Sequence, residues 1–343
     1  METIFTEKHE LRNARTELFA GELVEPFERP SRAQFVIDRV REVGLGSVSV
    51  PDDFGMEPVL AVHDAAFVKF LQTAWDDWAA TGAKGEAIPT CWPARRMSAR
   101  VPNHIDGKLG YYALASETSI SPGTWEAAYA AAQTGLTGAQ RILGGARAVF
   151  SLCRPPGHHA AQDMYGGYCF LNNAAIAAQH LREHGVERVA ILDVDFHHGN
   201  GTQDIFYNRA DVYFASIHGD PMEAFPHFLG HREEAGQGVG EGCSVNYPLP
   251  PGTPFDIWRS ALADALDRIS RFAPQALIVS LGVDTFEADP ISFFRLKSDD
   301  FTTYGADIAA LGLPTLFVME GGYAIKEIGE NTVNVLTGFE SRA

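Results

Sequence analysis

Ile191-Leu192-Asp193-Val194-Asp195-Phe196-His197-His198-Gly199-Asn200-Gly201 decides how this chain is read. An apolar run enters from Arg188 and ends in acids and histidines. Side chains alternate along a strand, so Asp193, Asp195 and His197 are expected on one face at its carboxyl end. Two carboxylates and an imidazole gathered there are ligands for a hard to borderline divalent cation. Gly199 and Gly201 then allow a sharp turn.

The neighbouring segments fit a sheet built around this strand. The sequence predicts further strands at 148–152, 212–218, 276–281 and 315–319, with a first edge strand at 3–5. Helical spacing covers 32–42, 62–81, a stretch from 121 to 143, one running to about 184, 255–272 and the C-terminal segment. His63 and Asp64 fall near the start of their helix, His63 as a local hydrogen-bonding residue. Residues 221–243 are expected as a loop. Strands alternating with helices imply an α/β fold, a mostly parallel central sheet with helices on both faces. No repeat or second domain is visible, so residues 1–343 are expected to form one catalytic domain.

In such sheets ligands bind beyond the carboxyl ends of the strands. The polar clusters His158-His159, Asp193 to His198, Asp284 and Tyr323 all follow predicted strands, so four strand ends converge. Asp195, His197 and Asp284 are the candidate metal ligands; three protein ligands and an open position describe a catalytic site. A divalent ion there activates water near neutral pH, and a histidine of the His158-His159 pair can take its proton. Tyr323, presented by Gly321-Gly322, can donate its hydroxyl to a developing oxyanion.

Composition narrows the partners. The formal net charge is −17, which argues against nucleic-acid and anionic-membrane partners and suits a cationic substrate. Cys91, Cys153, Cys169 and Cys243 form no Cys-x-x-Cys pair, so neither a disulfide framework nor a thiolate cage is expected. The polar, acidic N-terminus does not read as a signal peptide, and no apolar run is long enough to span a bilayer. A reducing cytoplasm is the expected location.

The motifs Arg-Pro-Pro-Gly-His-His, Gly-Gly-Tyr-Cys-Phe-Leu-Asn-Asn, Asp-Val-Asp-Phe-His-His-Gly-Asn-Gly-Thr, Gly-Val-Asp-Thr-Phe and Glu-Gly-Gly-Tyr run from Arg154 toward the C-terminus. Together they resemble the zinc-dependent deacetylases of the arginase/deacetylase superfamily, and within it the acetylpolyamine amidohydrolases. The resemblance implies zinc, with iron(II) or cobalt(II) as alternatives, on Asp195, His197 and Asp284. It implies His159 as general base and acid, His158 as its electrostatic partner oriented by Asp193, and Tyr323 as the electrophilic donor. Asn200 stands where many histone deacetylases have an Asp supporting the second histidine. Tyr168 and Phe225 would wall a narrow tunnel, with the Gly167 carbonyl near the substrate amide. Potassium is implied at two places: around Asp193, Asp195, His197, Ser216 and Ile217, and near Phe206, Arg209, Val212 and Cys243.

Residues 82–122 break the periodicity and resemble the insertion with which acetylpolyamine amidohydrolases dimerise and narrow the mouth of the site. Asp106 and Glu117 then become candidate carboxylates for the ammonium of a small acetylated amine. The expected activity is removal of acetyl groups from acetylated polyamines or diamines by a homodimer. A protein acetyl-lysine deacetylase and a non-catalytic sensor of polyamines or acetylated ligands are the alternatives. An arginase-type ureohydrolase needs a second metal and an Asp-x-Asp that Asp284-Thr285-Phe286 lacks.

Overall fold

Eight strands share one hydrogen-bonded sheet in the computed structural model, which describes residues 1–342. In chain order the strands are β1 (Glu2–Ile4), β2 (Glu17–Phe19), β3 (Glu22–Val24), β4 (Val48–Ser49), β5 (Ala148–Ser151), β6 (Val189–Asp193), β7 (Val212–Gly219), β8 (Ser244–Leu249), β9 (Ala276–Leu281) and β10 (Thr315–Met319). The large sheet runs β4-β1-β5-β10-β9-β6-β7-β8, with every pairing parallel. β2 and β3 form a separate antiparallel hairpin. The first strand is therefore not at the edge: β4 lies outside it and accepts its pairing. β8 extends the other side past the expected loop.

Ten helices connect the strands: α1 (Ser31–Glu42), α2 (Glu57–Leu60), α3 (Ala65–Ala80), α4 (Ile105–Tyr112), α5 (Thr124–Leu143), α6 (Asn173–Glu183), α7 (Asn200–Phe206), α8 (Phe255–Phe272), α9 (Ser298–Ala309) and α10 (Ile328–Glu340). Strand alternation divides the core in two. Val149, Ile191, Ile278, Leu316 and Val318 pack on one face with α3, α5 and α6. Phe150, Ala190, Leu192, Leu277, Val279 and Phe317 pack on the other with α1, α8, α9 and α10. Both faces being covered explains why β6 from Val189 to Leu192 and β9 from Ala276 to Val279 are unbroken apolar runs rather than alternating.

Residues 82–122 hold α4 and a backbone pair between Ala87 and Ile120 that closes the excursion. His63 is buried, and its bonds are long-range rather than local: its ring nitrogens reach Ala161 O and Asn172 N, each at 2.9 Å. No helix among the described residues is long and apolar enough to cross a membrane.

Candidate metal centre and active site

The strand ends that carry the polar clusters are neighbours in space. β5, β10, β9 and β6 lie side by side in the sheet, so the loops after them meet at one place. β6 stops at Asp193, and the chain turns rather than continuing the strand: Asp195 N donates to Asp193 Oδ1 at 3.2 Å. Strict strand alternation is thus not what groups these residues. The turn sends Asp193 toward His158, and Asp195 with His197 toward Asp284.

Ligand atoms of Asp195, His197 and Asp284 all lie within 4.8 Å of one another, and all three residues are buried. His197 Nδ1 is 3.0 Å from Asp284 Oδ2 and 3.3 Å from Asp195 Oδ1. Backbone donors fix the carboxylates from behind. Asp195 Oδ2 accepts from Gly321 N at 2.8 Å, Asp195 Oδ1 from His197 N at 2.8 Å, and Asp284 Oδ1 from Phe196 N at 2.8 Å. Two buried carboxylates facing one another are costly without a cation between them. Burial and the Asp195 charge push the Asp284 carboxyl up to about 7, which records that shortage of positive charge. A divalent ion supplies it, and an O, O, N donor set suits one. A Cβ on Gly321 would come within 2.5 Å of Asp195 Oδ2 and 2.7 Å of Asp284 Oδ2, so only glycine fits beside the pair.

The two histidines are sorted by their partners. His158 Nδ1 is 3.0 Å from Asp193 Oδ2, and its Nε2 is 3.7 Å from Asp195 Oδ1. Burial pulls its pKa down, but the Asp195 and Asp193 charges outweigh this and lift it to about 10. His159 Nδ1 donates to Asn200 Oδ1 at 2.6 Å, while Asn200 Nδ2 donates to His159 O at 3.3 Å. The second bond orients the amide and so assigns the imidazole proton to Nδ1, leaving Nε2 as the free base. Burial, then the charges on His158 and His197, hold His159 well below its ordinary pKa.

Tyr323 lines the cavity above this floor and is held by its own loop. Arg32 from α1 donates to Gly322 O and Glu320 O, each at 2.6 Å, and its guanidinium lies 4.7 Å from the Tyr323 ring centroid. Arg32 is paired in turn with the buried Glu28, which also binds Arg154. Glu320 performs a related task for the histidines: its Oε2 accepts from Gly157 N at 2.6 Å and His158 N at 3.1 Å.

The cavity over the centre has a volume of about 510 Å³. Tyr168, Phe225, Gly167 and Glu117 line it, as expected. The Phe225 ring stands edge-on to His159, with centroids 5.1 Å apart. Gly167 adopts φ +55°, and a Cβ there would meet the His159 ring at 2.2 Å. Glu117 Oε1 accepts from Gly167 N at 2.7 Å. Asp106 does not line the cavity; it sits in the first turn of α4. In its place the structure supplies two acids that no motif marked, Glu17 from β2 and Glu223 from the loop after β7. Glu17 accepts the Tyr168 hydroxyl at 2.6 Å, and burial pushes its carboxyl up to about 7. No Lys or Arg lines this cavity among the described residues.

The potassium candidates separate into two groups. Asp193 and Ser216 are register partners on β6 and β7, with Ile217 next along β7 and Asp195 and His197 just beyond β6. Phe206, Arg209, Val212 and Cys243 lie at the opposite, amino end of β7, where Arg209 N donates to Phe206 O at 3.0 Å and Phe214 N to Cys243 O at 2.9 Å.

An all-parallel sheet whose adjacent strand ends carry an Asp-His-Asp centre beside paired histidines and a tyrosine defines a metal-dependent hydrolase of the α/β class. The chain belongs to the histone deacetylase domain family, whose pattern it matches over residues 26–339. It is 60% identical over 338 residues to an acetylpolyamine amidohydrolase of Mycoplana ramosa, covering 98% of this chain and 99% of that one. Acetylpolyamine amidohydrolase 2 of Pseudomonas aeruginosa is 57% identical over 340 residues, covering 99% of each. Among solved structures, an acetylpolyamine aminohydrolase from Burkholderia pseudomallei superposes with a TM-score of 0.95 at 40% identity, covering 100% of this chain and 99% of the other.

Proposed function

We propose that the protein hydrolyses the acetamide of small N-acetylated polyamines or diamines, such as acetylputrescine and acetylcadaverine, to acetate and the free amine. The observation that carries this reading is the pairing of the Asp195-His197-Asp284 centre with a cavity lined by Glu17, Glu117 and Glu223 and, among the described residues, by no Lys or Arg. Carboxylates at the mouth favour a substrate whose far end is an ammonium. The names of the Mycoplana and Pseudomonas relatives point the same way.

Zinc is the ion we assign to the centre, with iron(II) or cobalt(II) able to replace it on the same donors. Held by Asp195, His197 and Asp284, it would supply Lewis acidity to the carbonyl and to water near neutral pH. His159 Nε2 takes the proton from the attacking water and passes it to the departing amine. His158, tied to Asp193, lies beside Asp195 and steadies its carboxylate. The Tyr323 hydroxyl donates to the oxygen on which charge develops. Tyr168 and Phe225 flank the aliphatic chain. Potassium ions in the two groups of residues around β7 complete this reading, the first stiffening the loop that carries Asp195 and His197.

We also propose that the chain is one catalytic domain that works as a homodimer in the cytoplasm, with residues 82–122 as the contact. Met97 and Val101 are exposed there, beside Arg95, Arg96 and Arg100. In that arrangement Asp106 serves substrate only across the dimer. The four cysteines, unpaired in the structure, suit a reducing compartment.

Steady-state kinetics on zinc-loaded protein test the substrate. Acetylputrescine or acetylcadaverine should exceed an acetyl-lysine peptide in kcat/KM. A peptide preferred over both diamines overturns the assignment.

A further inference from the structure

One buried carboxylate beside the centre has no part in the chemistry above. Asp289 lies in the same loop as Asp284, between β9 and α9, and all three of its hydrogen bonds come from backbone N–H groups. Its Oδ1 accepts from Ile291 N at 3.1 Å, which is an ordinary local turn. Its Oδ2 reaches a different strand end, accepting from Tyr323 N at 2.7 Å and Ala324 N at 3.2 Å.

Those two bonds close a clamp. The carbonyl side of the tyrosine loop is fixed by Arg32 on Gly322 O, and Gly321 N is fixed by Asp195. The N–H groups of Tyr323 and Ala324 are the remaining handles, and Asp289 takes both. Gly322, at φ +126°, gives the loop a hinge immediately before the tyrosine. Beyond the hinge, Ala324 O accepts from Glu327 N and Ile328 N, so what Asp289 alone supplies is the restraint on the tyrosine's own N–H.

We propose that Asp289 is a positioning residue for Tyr323, setting the height of its hydroxyl over the centre through the tyrosine's own backbone. The inference rests on the oxyanion-donor role given to Tyr323 above. A donor to a developing oxyanion must sit within about 2.7–3.1 Å of it. Displacement by about 1 Å costs on the order of 100-fold in rate. The interaction matters in the transition state, so the loss belongs in kcat and not in KM.

A double-mutant cycle on the zinc-loaded full chain tests this, with an acetylated diamine as substrate. Asp289→Ala should lower kcat roughly 10- to 100-fold with KM within about two-fold. Asp289→Asn, which keeps one acceptor oxygen for the two N–H groups, should recover most of the rate. In a Tyr323→Phe background, Asp289→Ala should cost little further, because the group it positions is gone. Losses that multiply in the double variant, or a rise in KM matching the fall in kcat, overturn the proposal. If Asp289→Ala does not fold, Asp289→Ser gives the same readout, since its hydroxyl is too short to span both N–H groups. A Tyr323→Phe variant with full kcat overturns the tyrosine's role, and this inference with it. A large Tyr323→Phe loss with multiplying Asp289 losses overturns the positioning alone.

Discussion

Glu17 shows what one side chain adds to the cavity. It comes from the β2–β3 hairpin, shares a hydrogen bond with Tyr168, and carries a carboxyl pushed up to about 7 by burial. Above that pH it is an anion facing the substrate's distal ammonium; below it the attraction fades. KM for a cationic acetyldiamine should therefore rise as pH falls through about 7. Glu17→Gln should raise KM at pH 8 by roughly two- to five-fold, the scale of an ion pair whose ammonium partner stays in water, and remove that pH dependence. A neutral acetamide of the same length should not notice the change. Equal effects on both substrates would show that Glu17 only shapes the wall. The residue was not legible in the sequence, because a lone acid among polar neighbours carries no spacing. Asp195, His197 and Asp284 were legible because apolar strands ending in acids or a histidine are rare. Glu320 and Asp289 share the obscurity of Glu17: each acts on backbone far away in sequence.

Elements were readable where periodicity was long. α8, β9 and β10 have the expected bounds, since apolar spacing alone defines them. β8 was hidden because its Ser244-Val245-Asn246-Tyr247-Pro248-Leu249 run contains a proline that only an outermost strand tolerates. α9 was hidden by its Asp, Thr and Gly content, which weakens helix propensity; packing of Phe301, Tyr304 and Ile308 overrides it. α3 began later than its apolar pattern, at the point where Asp64 Oδ1 caps Ala66 N at 2.8 Å and Phe67 N at 3.0 Å. Asp64→Ala should cost about 0.5–2 kcal/mol in chemical denaturation, with kcat unchanged. A loss of turnover without a loss of stability would contradict a purely capping role.

Across the whole molecule, buried neutral histidines draw stability down in acid. His63 donates through Nδ1 to Ala161 O and accepts from Asn172 N, so it has no free nitrogen for a proton. His218 is similarly saturated by Gly230 O and Ser216 Oγ. Burial lowers both to about 4, as it does His9 and His180. The unfolded chain protonates them near 6.5, so it binds more protons between these values. Their stabilisation is present above about pH 6.5 and is lost as pH falls toward 4. Glu17 and Glu320, both pushed up to about 7 by burial, act in the opposite direction. Asp284 at about 7 and Asp289 at about 6 act with them, so the slope is a balance to which His63 contributes a fall in urea midpoint from pH 7 to pH 5. His63→Gln should flatten that slope; a slope unchanged by the substitution would remove His63 from the account.

The order of strands also bears on biosynthesis. β10 leaves the ribosome after the other seven strands of the large sheet, yet it fills the gap between β5 and β9 and delivers Tyr323. Until it emerges, the sheet has no continuous middle and the histidine loop has no Glu320 to grip. A nascent chain therefore gains the middle of its sheet and the tyrosine of its site together, once residues 315–323 have emerged.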